Sequence, residues 1–256
     1  MKFKVALMLP VLGLLSACGG GSTSVVPSAS FTTLRAFSDG AGVGRGVASD
    51  GTETVFIAPD IAAVVAGANQ SSGNEVVDVQ FSDFSVVQTL PTAVVRSGTI
   101  TVEGEVANVL IIEDNGGEAG LVYLEFPGYA DAVFAVGSAY GAAPGGEFTY
   151  SGAHIVSNRI FGGAEVGDFT LTANFTNGTF SYNGSTTNTS LTGSGGIDVA
   201  NGRFASGSLT STVSGSTATA SMYGQLHGDT AQSVSGVFHT NEANPTYAGA
   251  FVGSRP

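Results

Sequence analysis

Asp168-Phe169-Thr170-Leu171-Thr172-Ala173-Asn174-Phe175 is the stretch of the chain that decides the fold. Apolar residues fall at every second position, which is the period of a β-strand that buries one face. Asn177-Gly178 follows, and this dipeptide is preferred at the centre of a two-residue type I′ hairpin turn. Such a turn pairs Phe175 with Phe180 and brings the apolar faces of both strands together. We therefore predict an antiparallel hairpin at this point.

The same alternation continues to the end of the chain. Asn201-Gly202 predicts a second two-residue turn, which pairs Val199 with Phe204. Together the patterns predict about eight antiparallel strands, over 147–157, 168–175, 179–190, 191–200, 203–213, 217–227, 233–239 and 247–253. Eight strands are enough to close into a small barrel whose interior is filled by side chains, and closure removes the free sheet edges.

The first half of the chain is also predicted to be β-structure, with strands over 54–57, 76–87, 98–102, 109–113, 121–126 and 132–136. Asp114-Asn115-Gly116-Gly117 predicts a hairpin turn. Glu113-Asp114 and Glu118 are interpreted as a solvated hairpin tip, because they lack the spacing of a calcium loop. The glycine-rich stretch 40–46 lacks the spacing of a phosphate-binding loop and is interpreted as a mobile loop. A short helical segment is allowed at 61–65.

The N-terminus has the features of a bacterial export signal. Met1-Lys2-Phe3-Lys4 is positively charged, and the apolar run after it is too short to cross a bilayer as a helix. Leu15-Ser16-Ala17-Cys18 then resembles the lipobox of bacterial lipoproteins, where the cysteine is acylated and the preceding peptide is removed. We predict a signal peptide over 1–17, lipidation of Cys18 and a flexible tether over 18–30. The alternative is an ordinary signal peptide with a coincidental cysteine.

The residue after the cysteine and the charge distribution limit the location and the partners. Gly19 follows the cysteine in place of an aspartate, and in this the chain resembles lipoproteins that are sorted to the outer membrane.

Both lysines, Lys2 and Lys4, lie in the predicted signal. After the signal, the chain has 20 acidic residues and no basic residues other than arginines and histidines, and the net charge of the full chain is −12. Nucleic acid needs a basic surface and is excluded as a partner.

Catalytic and cofactor motifs are missing from the sequence. Cys18 is the one cysteine, so an internal disulfide and thiol catalysis are excluded. The chain has no Gly-x-Ser-x-Gly motif and shows no constellation of acid, base and nucleophile, so we expect no enzyme. We predict no cofactor.

The three histidines are His154, His227 and His239, and none has a second ligand at typical metal-site spacing. His227 and His239 flank a predicted turn near Asp229, so they could face each other across adjacent strands. We keep these two as weak candidates for binding haem or a metal, against surface or packing roles.

Several segments of the second half carry a family resemblance. They are Asp168-Phe169, Asn177-Gly178-Thr179, 197–204, 224–238, 248–255 and the lead-in 144–152. These segments resemble the barrel of transferrin-binding protein B-like surface lipoproteins. The resemblance covers 143–256 and implies a barrel domain there, preceded by a smaller β-rich handle-like domain over 31–142. The founding member has two lobes, and this chain has room for one.

The resemblance implies a lipid-anchored protein of the outer membrane, exposed at the cell surface, that captures a protein or a haem- or iron-carrying ligand through its loops. It assigns no binding residue. The alternative is a structural or adhesive envelope lipoprotein without a specific soluble ligand. A pore is disfavoured, because exterior positions such as Thr170 and Thr172 are polar and do not form an apolar lipid-facing band.

Overall fold

The computed structural model of the protein describes residues 42–48, 53–58, 79–81, 85–102, 105–125, 131–158, 163–241 and 247–256. Every regular element in these ranges is a β-strand. The same ranges contain no helix that is long and apolar enough to cross a membrane. The predicted signal peptide, Cys18, the tether and the short helical segment lie outside the described residues.

The first strands form one antiparallel sheet. They are β1 (Gly42–Ala48), β2 (Glu53–Ala58), β3 (Val79–Phe81), β4 (Ser85–Thr89), β5 (Ala93–Val102), β6 (Glu105–Asp114), β7 (Ala119–Glu125) and β8 (Ala132–Gly137). The strand order is β2-β1-β8-β7-β6-β5-β3, and β4 pairs with another part of β5. The sheet therefore presents β2 at one edge, with β3 and β4 together at the other.

The remaining strands close into a barrel. They are β9 (Glu147–Asn158), β10 (Ala164–Asn174), β11 (Thr179–Ser185), β12 (Thr189–Asp198), β13 (Arg203–Val213), β14 (Ser216–His227), β15 (Ser233–Thr240) and β16 (Tyr247–Ser254). Each strand pairs antiparallel with its neighbours, and β16 closes onto β9. The predicted all-β class is confirmed, with an eight-stranded antiparallel barrel preceded by a β-rich unit.

In the first barrel hairpin the side chains lie on the predicted faces of the strands, but the predicted pairing register between the two strands is wrong. Phe180 pairs with Ala173 rather than with Phe175, and residues 175–178 form a longer loop. Among the described residues of this loop only Gly178 has a positive φ, 64°, whereas a type I′ turn needs two such residues. Because side chains alternate with a period of two, a slip of two residues leaves each one on its predicted face.

At the second predicted turn the pairing register also differs from the prediction by two residues. Phe204 pairs with Ile197 rather than with Val199. The Asp198 carboxylate accepts hydrogen bonds from the Ala200 N–H at 3.2 Å and from the Asn201 amide at 2.8 Å. These bonds close the longer loop and explain why the two-residue turn does not form.

Two predictions in the first sheet are also corrected. The glycine-rich stretch 40–46, predicted to be a mobile loop, contains most of strand β1, which pairs with β2 on one side and with β8 on the other. The strand predicted over 76–87 corresponds to two short strands, β3 and β4, which pair with different parts of β5. In both places the pairing comes from strands that are distant in sequence.

The barrel interior is filled by aromatic rings that lie over glycines of neighbouring strands. A Cβ atom added to Gly224 would lie 2.1 Å from the ring of Phe204. The same arrangement joins Gly236 to Phe251, Gly249 to Phe238, Gly195 to Phe180 and Gly152 to Phe169. A glycine leaves room for a ring that a small barrel could not otherwise hold. These barrel glycines therefore serve the packing of the core.

Candidate binding surface and the junction between sheet and barrel

The interior of the barrel contains aromatic rings that contact one another. The ring of Tyr182 lies 5.4 Å from that of Phe169 and 5.1 Å from that of Phe251, measured between centroids. Phe251 in turn lies 6.1 Å from Phe204. Pockets that enclose small molecules have volumes of about 300 Å³ or more. Contacting rings and other buried side chains occupy the barrel interior, which leaves the outer surface as the candidate site for a ligand of the size of haem or larger.

The segment 138–146, which we call the strap, crosses one end of the barrel and connects it to the sheet. The ring of Tyr140 lies against Gly202, where a Cβ atom would be 2.5 Å away. Its hydroxyl donates a hydrogen bond of 2.7 Å to the carbonyl of Val199. The N–H groups of Gly141 and Ala142 donate to carbonyls of the turn between β14 and β15. The strap therefore holds two barrel turns and covers this end.

The sheet packs against the outside of β9, β15 and β16. The contact is an apolar cluster of buried side chains, most of them alanines and β-branched residues. From the sheet come Ala93, Val95, Ile112, Leu121, Val133 and Ala135, and from the barrel come Ala153, Ile155, Val237, Ala248, Ala250 and Val252. We call this contact the junction. Because its centre is apolar, separating the sheet from the barrel would expose hydrophobic surface to water.

His227 lies at the strap side of the junction and is fully buried. Its Nδ1 lies 2.8 Å from the carbonyl oxygen of Ser138, which can only accept, so Nδ1 carries the proton. Its Nε2 accepts a hydrogen bond of 2.8 Å from the hydroxyl of Ser235. Burial lowers the pKa of His227 to about 4, and the hydrogen bond to Ser138 opposes this in part. The imidazole is therefore neutral at pH 7, with both nitrogens engaged.

His239 does not lie beside His227. In the pairing of β14 with β15, His227 is opposite Ser233 and His239 is opposite Ser221. The two histidines share the outer face, but the six-residue offset along β14 separates them by roughly 20 Å. The predicted juxtaposition is therefore wrong. In the part of the chain that the structure describes, no group of three His, Cys, Asp or Glu residues could hold a metal ion.

Asp114 is the second polar contact at the strap side of the junction. Its side chain is buried and accepts hydrogen bonds from the Ser233 hydroxyl and from the N–H groups of Glu118 and Ala119. Burial raises the pKa of this carboxyl, although these hydrogen bonds and one from the N–H of Gly117 oppose the rise. The predicted hairpin is present, but Asp114 faces the barrel. The expectation of a solvated tip is wrong for this residue.

Asp131 forms the corresponding contact at the far side of the junction. It accepts a hydrogen bond of 2.9 Å from the hydroxyl of Tyr123 on β7 and another from Ser157 on β9. Burial raises the pKa of Asp131, and burial together with the nearby Asp131 raises the pKa of Tyr123. The junction thus consists of an apolar centre with a hydrogen-bonded carboxyl group on each side.

His154 is buried inside the barrel, away from the junction. Its Nδ1 lies 3.0 Å from the hydroxyl of Tyr182, and its ring packs 5.8 Å from that of Phe238. Its Nε2 has no hydrogen-bond partner. Burial lowers the pKa of His154 to about 4, so this residue is also neutral at pH 7. The surrounding rings give it a packing role.

An apolar feature of the outer surface lies at the β4 edge of the sheet. All five residues of β4 are exposed, including Val86 at 52% and Val87 at 55%. Arg96 on the neighbouring β5 forms an ion pair of 3.3 Å with Glu113. Sequence reasoning placed a strand here but missed the exposure, because Ser85-Val86-Val87-Gln88 does not alternate between apolar and polar residues.

Comparison with known proteins supports the fold. No protein-family model and no curated protein matches the chain. The isotype 1 transferrin binding protein B from serogroup B Neisseria meningitidis matches with a TM-score of 0.53 and 12% identity, over 84% of this chain and 44% of that one. A double mutant of transferrin binding protein B from Haemophilus parasuis Hp5 matches with a TM-score of 0.52 and 12% identity, over 84% of this chain and 45% of that one. The chain spans less than half the length of these relatives.

The fold defines a class of protein, a lobe in which a β-sheet packs on the side of a closed eight-stranded barrel. Among solved structures, this architecture is that of transferrin binding protein B, of which the chain matches a single lobe. The predicted resemblance is confirmed at the level of the fold.

Proposed function

We propose that the chain is a bacterial surface lipoprotein that captures a protein, or a protein carrying iron or haem, on its outer surface. The observation that carries this proposal is the fold shared with transferrin binding protein B of Neisseria meningitidis, which by its name binds transferrin. The lipobox-like Leu15-Ser16-Ala17-Cys18 supports the surface location. The role proposed here is binding and not catalysis.

The packing and the charge of the chain agree with capture on an outer surface. Aromatic rings fill the barrel, so its interior serves stability rather than ligand storage. The 20 acidic residues outnumber the arginines, and this excess favours a partner whose contact surface is basic or neutral. Binding to a basic surface should weaken as the salt concentration rises, because exposed charges are screened.

The anchor in this proposal is a lipid on Cys18, with attachment to the outer membrane. A single acyl chain binds a bilayer only marginally, so stable attachment requires several chains. The predicted flexible tether over 18–30 has a root-mean-square length of about 20 Å. This length would hold the folded lobe close to the membrane and leave its outer surface accessible.

The anchor is tested by labelling cells with a palmitate analogue and fractionating their membranes. We expect the wild-type chain to carry the label and to be found in the outer membrane. Cys18→Ser should lose both properties, whereas Ser24→Ala, a matched change in the predicted tether, should keep them. Labelling of the Cys18→Ser variant would contradict the anchor.

Capture is tested with the full chain carrying Cys18→Ser, so that lipid does not contribute to binding. Transferrin, haemoglobin and an iron-free, haem-free serum protein are each titrated against the immobilised chain. We expect saturable binding to an iron- or haem-carrying protein, weaker at 500 than at 50 mM salt.

Absence of saturable binding to either carrier, together with normal growth of a deletion strain on both as iron sources, would overturn the proposal. The structural or adhesive alternative would then be supported by loss of envelope integrity or attachment in that strain.

A further inference from the structure

One buried imidazole joins three segments at the strap side of the junction. His227 is the last residue of β14, and it hydrogen-bonds to Ser138 at the start of the strap and to Ser235 on β15. Its ring also packs against Gly137, the last residue of β8, where an added Cβ atom would lie 2.3 Å from the ring. The attachment of β8 and the strap to the barrel therefore depends directly on this side chain.

The strap has a second bond beside His227. The hydroxyl of Ser138 accepts a hydrogen bond of 3.0 Å from the N–H of Gly228, and the Ser138 N–H donates to the carbonyl of Glu118 at 2.8 Å. Ser138 thus connects the β6–β7 hairpin of the sheet to the end of β14. If His227 leaves its site, these bonds lose the packing that shields them from water.

Protonation of His227 is compatible with its hydrogen bonds but not with its burial. In the charged imidazole both nitrogens donate. Ser138 still accepts from Nδ1, and Ser235 can accept from Nε2 while turning its own proton to the carbonyl of Val136, 3.3 Å away. The remaining cost is a positive charge held out of water. That cost disappears once the imidazole becomes exposed to solvent.

We propose that the junction is an acid-responsive hinge, in which protonation of His227 favours a state with β8 and the strap detached from the barrel. This inference goes beyond ligand capture and does not depend on it. It concerns how the sheet and the barrel are held relative to each other, whatever binds to them.

The expected effect follows from the two states of the imidazole. In the attached state the pKa of His227 is about 4, and in the detached state the exposed group has the ordinary value of about 6.5. The detached state therefore gains protons as the pH falls below 6.5. Relative to pH 7.5, its population rises about tenfold at pH 5.5 and about thirtyfold at pH 5.

Other charged groups around His227 define the useful pH range. Asp114 and Glu118 lie in the β6–β7 hairpin, and Asp114 accepts a hydrogen bond from Ser233, the residue paired with His227. Asp229 lies in the turn that follows His227, where Arg255 donates a hydrogen bond to the carbonyl of Thr230 at 2.7 Å. Burial raises the pKa of Asp114, so protonation of this carboxyl favours the attached state. Asp114 therefore opposes His227 at the acid end, and the hinge opens most clearly between pH 6.5 and 5.

The test is hydrogen exchange with mass spectrometry on the full chain carrying Cys18→Ser, corrected for the intrinsic pH dependence of exchange. We expect strap amides to exchange faster than those of β10 and β11 at every pH. Protection of the strap should fall about tenfold between pH 7.5 and 5.5. Equal rates in the strap and in β10–β11 would overturn the proposal, because the junction would then open only when the whole lobe unfolds.

A matched pair of histidine variants tests whether His227 causes the pH dependence of strap protection. His227→Gln keeps one donor and one acceptor but does not titrate, so it should remove the pH dependence of strap protection. His154→Gln replaces the other buried histidine, inside the barrel, and should leave that dependence in place. The proposal is wrong if His227→Gln retains the tenfold change or if His154→Gln abolishes it.

A measurement on the unsubstituted imidazole covers the case in which His227→Gln does not fold. The NMR signals of the His227 ring report its tautomer and its protonation in the chain with Cys18→Ser. We expect a neutral ring protonated at Nδ1 in the attached state down to pH 5. Titration of the ring near pH 6.5 without a change in strap protection would also overturn the hinge.

Discussion

Gly224→Ala tests whether the barrel core depends on rings that lie over glycines. An added Cβ atom would lie 2.1, 2.3 and 2.7 Å from three ring atoms of Phe204. Phe204 has little freedom to move, because its ring is in edge contact with Phe180 at 5.1 Å and lies 6.1 Å from Phe251. The substitution must therefore displace the ring or the backbone of β14.

The expected magnitude follows from the number of atoms in conflict. Overpacking a well-filled core costs about 1–3 kcal/mol. Three contacts below 3 Å, to a ring held by two others, place Gly224→Ala at the upper end of this range. For a chain of this size, each kcal/mol lowers Tm by about 2–4 °C. We expect a loss of about 3 kcal/mol in the free energy of unfolding and a Tm lower by about 6–12 °C.

The assay is urea unfolding of the chain with Cys18→Ser, with Gly207→Ala as the matched control. Gly207 lies in β13 and is exposed, and the nearest atom to its added Cβ is the Ser221 hydroxyl at 4.0 Å. This control should change the free energy of unfolding by less than about 0.5 kcal/mol. In a Phe204→Leu background, Gly224→Ala should cost at least about 1 kcal/mol less than in the wild type, because the clash is removed.

Two results would refute the packing argument. One is a free energy of unfolding for Gly224→Ala within 0.5 kcal/mol of the wild type, on the order of an ordinary surface change. The other is an equal cost of Gly224→Ala in the presence and absence of the Phe204 ring, since the energetic coupling between the two positions would then be zero.

Three further predictions concern stability. The pKa of both His154 and His227 is about 4 in the folded chain and about 6.5 in the unfolded chain. The unfolded state therefore binds more protons below pH 6.5. Each histidine should lower the free energy of unfolding, measured in urea, by about 2 kcal/mol at pH 5 relative to pH 7. Asp114 and Asp131, whose pKa values are raised by burial, act in the opposite direction. A loss between pH 7 and 5 that is no smaller in His154→Gln and His227→Gln than in the wild type would contradict the assignment of the histidines. Ser233→Ala removes one of the donors to the buried Asp114 carboxyl and should lower the free energy of unfolding by about 1–3 kcal/mol; an unchanged urea midpoint would show that this bond contributes nothing. Gly178→Ala places a side chain at φ 64° and should cost about 1 kcal/mol in the same assay, whereas a neutral result would mean that the loop can adopt another conformation.

Local alternation determined the fold class and the face of each barrel side chain. The alternation predicts Phe169, Leu171, Phe175 and Phe180 on one face, and all four are buried in the barrel core. This inference did not need the register, because a strand has a period of two and a slip of two residues preserves the face. Both predicted barrel hairpins differ from the prediction by two residues in register, and both keep their faces.

The pairing register depends on hydrogen bonds within the turn, and the preference of Asn-Gly for two-residue turns does not take these bonds into account. Asp198 accepts two hydrogen bonds within its turn, and these select the longer loop. Strand β1 was missed for a related reason. Its glycines have a low strand propensity, and only the pairing with β2 and β8 makes it a strand.

Only the tertiary structure decided what the polar residues of the junction do. Asp114 finds Ser233 at a separation of 119 residues, and His227 finds the carbonyl of Ser138 at a separation of 89. From sequence, Asp114 belonged to a solvated turn and His227 to a pair of weak ligand candidates. A side-chain pattern records which face of a strand is apolar, because that depends on neighbours two residues away. The burial of a single polar group depends on which distant segment covers it, and that is set only when the sheet packs onto the barrel.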